Sequence, residues 1–99
     1  MNKSKAIGIA RNWLEQNPKT LESDEVFEVL DKLEFIFKKK IKHTTYLYEH
    51  PCLAGNPYFQ FNTLKISLHH GKNDKNVILI GSVKVIIRAL KLHPELKND

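Results

Sequence analysis

The sequence predicts an α+β fold in which helices pack on one face of an antiparallel three-stranded sheet. Apolar residues recur at helical spacing near both ends of the chain, while aromatic and β-branched residues are concentrated in the middle. The connections between the strand-like segments are shorter than the dozen or so residues that a parallel crossover requires. Strands grouped between helices in this way are typical of α+β proteins.

Length and composition predict one domain that spans residues 1–99. The chain has 99 residues, of which 41% are hydrophobic and 27% charged, so it can bury one core but not two. A single cysteine, Cys52, excludes an intrachain disulfide and any zinc site built from several cysteines. No segment has the apolar length of a membrane helix, and the basic N-terminus is not followed by a signal-peptide core. We therefore expect a cytoplasmic protein without membrane association.

The N-terminal part of the chain predicts two amphipathic helices. The first covers residues 4–15 within an N-terminal extension over 1–20, and it ends at Asn17-Pro18 because the residue before a proline disfavours helical backbone. Ser23 is suited to cap the second. Apolar residues recur at helical spacing in both, at Ala6, Ile9, Ala10 and Trp13 in the first and at Val26, Val29, Leu30 and Leu33 in the second.

Three strands are predicted next, at 35–42, 44–50 and 59–70, because these segments are rich in aromatic and β-branched residues. A turn is expected near Lys42-His43. Residues 51–57 contain two prolines and a glycine, which predicts an exposed loop. In the third strand, apolar and polar residues alternate over residues 65–68, so one face should be buried.

The C-terminal segment predicts a last helix. Ser82 is suited to cap it, and His93-Pro94 ends it. Residues 77–80 are either a short strand or a packed lead-in to this helix. The inner side of the helix carries Val83, Ile86, Ile87 and Leu90.

Three local patterns follow one another along residues 24–92. The first is the helix at 26–33 followed by the basic strand at 35–42. The second is the segment Thr44-Thr45-Tyr46-Leu47-Tyr48-Glu49-His50-Pro51. The third is Ile66-Ser67-Leu68-His69-His70-Gly71-Lys72 followed by Gly81-Ser82-Val83 and Ile86-Ile87. In this order the patterns resemble the HicA family of small messenger-RNA-cleaving toxins.

The resemblance implies a fold like that of double-stranded-RNA-binding domains, with a core of one helix, three strands and one helix. It also implies an endoribonuclease that cleaves messenger RNA without metal or cofactor, as the toxin of a toxin–antitoxin pair with an antitoxin protein as partner. One departure concerns the site. When His50-Pro51 is aligned with the family's His-Pro, the family's catalytic histidine falls on Thr45.

RNA cleavage without metal requires a base for the 2′-hydroxyl proton, an acid for the leaving oxygen and cations for the phosphate. His43 and His69 are the candidate acid and base, and strand alternation would place His69 on the outward face with Lys65 and Ser67. Alternation would also place three lysines of the first strand in one basic row. The expected RNA contacts are Lys38, Lys40, Lys42, Thr45, Lys65, Lys72 and Ser82.

Each of these features has a structural alternative. The histidines could belong to ordinary turns, and the lysines could protect an edge strand from aggregation. Two other functions therefore stay open: a relative that binds RNA or an antitoxin without cleavage, and a small protein-interaction module. Metal binding is not expected, since His69 and His70 would diverge on a strand. Core packing is favoured over base stacking for Tyr46, Tyr48, Tyr58, Phe59 and Phe61.

Overall fold

The computed structural model describes residues 1–69 and 77–97. The described elements follow in the predicted order of two helices, three strands and one helix. The helices are α1 (Lys3–Gln16), α2 (Ser23–Lys32) and α3 (Ile80–Leu90). The strands are β1 (Ile36–Ile41), β2 (Thr45–Glu49) and β3 (Thr63–Ser67), and two 3₁₀ turns at Pro51–Leu53 and Gln60–Asn62 lie between β2 and β3.

The sheet is antiparallel in the order β1-β2-β3, which confirms the predicted fold class. The connection between β1 and β2 is the turn at 42–44, as the sequence predicts. In the central strand, Tyr48 pairs with Phe37 of β1 and with Leu64 of β3. Its ring stacks on Phe27 of α2 with centroids 5.7 Å apart, so this face of the sheet is the one that the helices cover.

The core lies between that face and the helices. Trp13 of α1 is only 5% exposed, as the helical periodicity of its segment indicates. The apolar stripes of α2 and α3 are buried as predicted, including Val26, Val29, Leu30, Val83, Ile86, Ile87 and Leu90. None of the described helices is long and apolar enough to cross a membrane.

The predicted serine caps of α2 and α3 were wrong. The N-cap positions are Glu22 and Leu79, and neither side chain makes a capping hydrogen bond. Ser23 is the first helical residue of α2 and is buried. Ser82 lies inside α3, where its Oγ accepts a hydrogen bond of 2.8 Å from the backbone N–H of Ser67. The hydroxyl of Ser82 therefore joins α3 to β3 instead of capping its own helix.

The third strand begins later than the sequence predicts. Residues 60–62 form a 3₁₀ turn in which Phe61 has φ 58° and Asn62 has φ 59°, values incompatible with a strand. Beyond β3, the antiparallel bridges found among the described residues are isolated ones, from Leu68 to Ile78 and from Glu22 to Val77. The loop at 51–57 is not wholly exposed either, because Leu53 is fully buried.

Candidate nucleic-acid interface

The two predicted catalytic histidines, His43 in the turn at 42–44 and His69 after β3, line one cleft of about 370 Å³. We call it the histidine cleft; it is lined by His43, Thr44, Leu68, His69, Lys40, Tyr46, Phe27, Ser23 and Asp24. His43 is exposed and His69 half-buried. The structure therefore brings together two imidazoles that come from separate segments of the chain.

Backbone hydrogen bonds hold these two segments side by side. The N–H of Leu68 donates to the carbonyl of Thr44 at 2.9 Å, which ties the end of the β3 segment to the turn. On the other side, the N–H of His69 donates to the carbonyl of Val77 at 3.0 Å. The backbone thus places the segments that carry His43 and His69 beside the same cleft.

Lys40 supplies a cation to the same cleft. Its Nζ lies 5.1 Å from the centroid of the Tyr46 ring, a cation–π contact. The Tyr46 ring in turn packs on Phe27, with centroids 4.7 Å apart. The aromatic pair forms a wall of the cleft, and Lys40 stays exposed beside it. An anion that enters the cleft would meet this ammonium group and both imidazoles, although the exposed Asp24 carboxylate also lines it.

The predicted basic row of Lys38, Lys40 and Lys42 does not form. The pairing of β1 with β2 shifts between Phe37 and Lys39, so a bulge interrupts the alternation that the row requires. Lys38 contacts Glu49 at 3.4 Å, whereas Lys40 pairs with Tyr46 on the helix-facing side. Lys42 lies in the turn with φ 54°. These lysines therefore have different surroundings.

His69 also departs from the expected alternation. The strand ends at Ser67, and His69 lines the histidine cleft with Tyr46 and Phe27. Lys65 and Ser67, its expected neighbours, line a different recess on the other face of the sheet. Lys72 lies outside the described residues.

This second recess, the outer groove, has a volume of about 820 Å³. Outward side chains of the sheet, the loop before β3 and the start of α3 line it, among them Ile41, Leu47, Phe61, Lys65, Ile80 and Ser82. Two predicted RNA contacts, Lys65 and Ser82, thus share one groove. A third predicted contact, Thr45, has its Oγ1 3.1 Å from the Ser67 Oγ, and the backbone N–H of Ser67 donates to the Ser82 Oγ.

The predicted core packing is wrong for two aromatic residues of the outer groove, Tyr58 and Phe61. Phe59 and Tyr48 are buried, as predicted, but Tyr58 is 50% and Phe61 is 89% exposed. The Tyr58 ring carries the Arg88 guanidinium 4.0 Å from its centroid. Positive φ at a residue as bulky as Phe61 costs about 1–3 kcal/mol. The sequence shows that this segment is rich in aromatic residues, but it does not show which of the rings is exposed to solvent.

His50 and Cys52 lie outside both recesses and contact each other. His50 Nδ1 accepts a hydrogen bond of 2.9 Å from the Cys52 N–H, and burial lowers the pKa of His50 below its usual value. Burial also raises the pKa of the Cys52 thiol to about 11, which disfavours the thiolate that a nucleophile requires. The described residues hold no cluster of three or more ligand-type side chains for a metal ion.

Comparison with protein-family models, with curated proteins and with solved structures finds no match to this chain.

Proposed function

We propose that this protein binds RNA and cleaves it without a metal ion, as a toxin similar to the HicA family. The observation that carries the proposal is the meeting of His43, His69 and Lys40 in one cleft. Two imidazoles and an ammonium group are the types of side chain that this reaction needs. A cytoplasmic location and restraint by an antitoxin protein belong to the same proposal.

The chemistry requires the two imidazoles to act in opposite senses. One takes the proton of a ribose 2′-hydroxyl while the 2′-oxygen forms a bond to the adjacent phosphorus. The bond from phosphorus to the 5′-oxygen breaks, and the other imidazole protonates that leaving oxygen. The products are a 2′,3′-cyclic phosphate and a free 5′-hydroxyl. Lys40 would stabilise the additional negative charge on the phosphate oxygens.

A second candidate is RNA or antitoxin binding without cleavage. It is favoured by Thr45, which occupies the position aligned with the family's catalytic histidine. The Thr45 hydroxyl lies 3.1 Å from that of Ser67, whose side chain lines the outer groove instead of the histidine cleft. Cleavage by this chain would therefore have to use histidines at other positions than the family does.

One experiment separates the two candidates. Purified protein is incubated in EDTA with a labelled RNA that contains both paired and unpaired segments, and cleavage and binding are both followed. His43→Ala and His69→Ala are each expected to lower the cleavage rate about 10²- to 10⁴-fold, because each would remove the acid or the base. His50→Gln, which changes a histidine outside the cleft, should cleave like the wild type.

The outcomes are distinct. EDTA-resistant cleavage that is lost in either cleft variant but kept in His50→Gln would support the proposal. Binding without cleavage by the wild type would overturn the enzymatic proposal and favour the second candidate. Absence of both binding and cleavage would overturn RNA as the ligand. Circular dichroism of each variant verifies that the fold is retained.

A further inference from the structure

The loop before β3 displays an aromatic ring to solvent in a strained backbone conformation. Phe61 is 89% exposed, and both it and Asn62 have positive φ. The hydroxyl of Thr63 donates to the Phe61 carbonyl at 3.1 Å, and the Thr63 N–H donates to the carbonyl of Gln60. The adjacent ring of Phe59 is buried and anchors the loop in the core. The contacts of Phe59 and Thr63 thus hold the backbone of Phe61 in its strained conformation, while the Phe61 ring is left exposed.

A second ring lies at the same groove. Tyr58 is half-exposed, its N–H donates to the Asn56 side chain at 2.9 Å, and the Arg88 guanidinium covers it at 4.0 Å. Aromatic rings and arginine planes are the surfaces on which unpaired bases stack. Tyr58 is therefore already part of a stack whose cation comes from α3.

The charge and size of the outer groove indicate the class of ligand. Among the described residues that line it, Lys65 is charged and none is acidic, while Arg88 adds a positive charge through its contact with Tyr58. The volume of about 820 Å³ lies within the range of pockets that enclose small organic groups. Gln60 adds an amide that can hydrogen-bond a base edge. An aromatic ligand that carries negative charge fits these features.

The outer groove and the histidine cleft lie on opposite faces of the sheet, and both extend to the β1–β2 turn. Ile41 lines the groove and His43 lines the cleft, with only Lys42 between them. Two residue steps span at most about 7 Å, so the backbone segments that border the two recesses are close at this point. An RNA strand bound in the groove could reach the cleft on the other face of the sheet by passing round the turn at Lys42, which is exposed.

We propose that the outer groove binds unpaired nucleobases of the RNA, with Phe61 as the stacking platform and Lys65 and Arg88 as phosphate contacts. This inference rests on the proposed function and adds a substrate class to it: RNA that is single-stranded next to the cleavage site. The groove selects unpaired RNA because bases inside a duplex have their faces covered by their neighbours. Exposed aromatic and apolar side chains could also bind a peptide, but the positive charge favours a polyanion.

The test compares a short, labelled single-stranded RNA with the same backbone carrying abasic sites. Phe61→Ala should weaken binding of the base-containing RNA roughly 5- to 150-fold and leave binding of the abasic RNA unchanged. Phe61→Tyr retains a ring and should bind both like the wild type. Phe37→Ala is the matched control, since Phe37 is half-exposed but packs on Tyr46 and Tyr48 outside the groove.

The results separate this inference from the proposed function. If the wild type binds and cleaves RNA but Phe61→Ala binds equally well, the groove is not a base site and the proposed function stands. Equal losses on the two RNAs would overturn stacking in the same way. If the wild type binds neither RNA, the proposed function fails and this inference fails with it.

Discussion

The imidazole of His93 connects the end of α2 with the segment that follows α3, so its removal should destabilise the protein. Only 3% of His93 is exposed. Its Nδ1 accepts a hydrogen bond of 3.1 Å from the Glu95 N–H, and therefore the proton of the neutral ring is on Nε2. That nitrogen lies 2.9 Å from the Leu33 carbonyl and donates to it. The ring also packs on Phe35 and His50, with centroids 6.0 Å and 4.9 Å away.

The His93→Ala change removes both hydrogen bonds and the packing of the ring. A buried acceptor that loses its donor costs about 1–3 kcal/mol, and the cavity left by the ring adds to this. We expect the free energy of unfolding to fall by about 2–4 kcal/mol, a large part of the ~5–15 kcal/mol that stabilises a typical domain. His93→Gln retains an amide donor and should lose less.

Urea denaturation followed by circular dichroism measures this difference. The midpoint should fall while the slope with urea concentration stays the same, because the surface exposed on unfolding is nearly unchanged. A loss below about 1 kcal/mol would refute the argument, since one unsatisfied carbonyl alone should cost at least that much. Equal stability of the glutamine and alanine variants would show that the donor to Leu33 contributes nothing.

Two further predictions concern stability. Ser82→Ala removes the acceptor for the Ser67 N–H and should cost about 1 kcal/mol, a fall of about 4–8 °C in Tm, while Ser82→Thr keeps the oxygen and most of the stability. The second concerns pH. The pKa of His50 is lowered from 6.5 mainly by burial and next by His93, with Glu34 opposing. The His50 imidazole therefore binds a proton more readily in the unfolded chain than in the folded protein. Its contribution to stability is fully present above pH 6.5 and is lost as the pH falls below that value. Urea titrations at about pH 7.5 and about pH 5.5 should show this loss, and His50→Gln should reduce it; a pH dependence unchanged in that variant would contradict the assignment.

Much of the architecture could be predicted because it depends on local patterns. The apolar periodicity of the segments containing Trp13, Val26 and Ile86 places each on a buried helix face, and the structure buries all three. The polar stretch at Lys42-His43 predicted the turn that makes β1 and β2 antiparallel. These features need only the spacing of side chains along 5 to 15 or so neighbouring residues, which the helix and strand periods define.

Side-chain direction could be predicted only where the regular strand continues. The bulge between Phe37 and Lys39 separates lysines that alternation would place together. The composition around Phe61 predicts a strand, yet its positive φ places it in a turn, and its ring is exposed to solvent. Propensity is a weak guide at such positions, because the surroundings decide which backbone conformation is stable.

The sequence by itself determined the fold class, the formal net charge of +5 and the residue types available for the proposed RNA chemistry. Only the tertiary structure decided which of them meet. His43 and His69 share a cleft because backbone hydrogen bonds join the 42–44 turn to the segment after β3. Ser67 and Ser82 share a hydrogen bond because α3 begins beside β3. Contacts between distant segments depend on how the elements pack, and no local spacing encodes that.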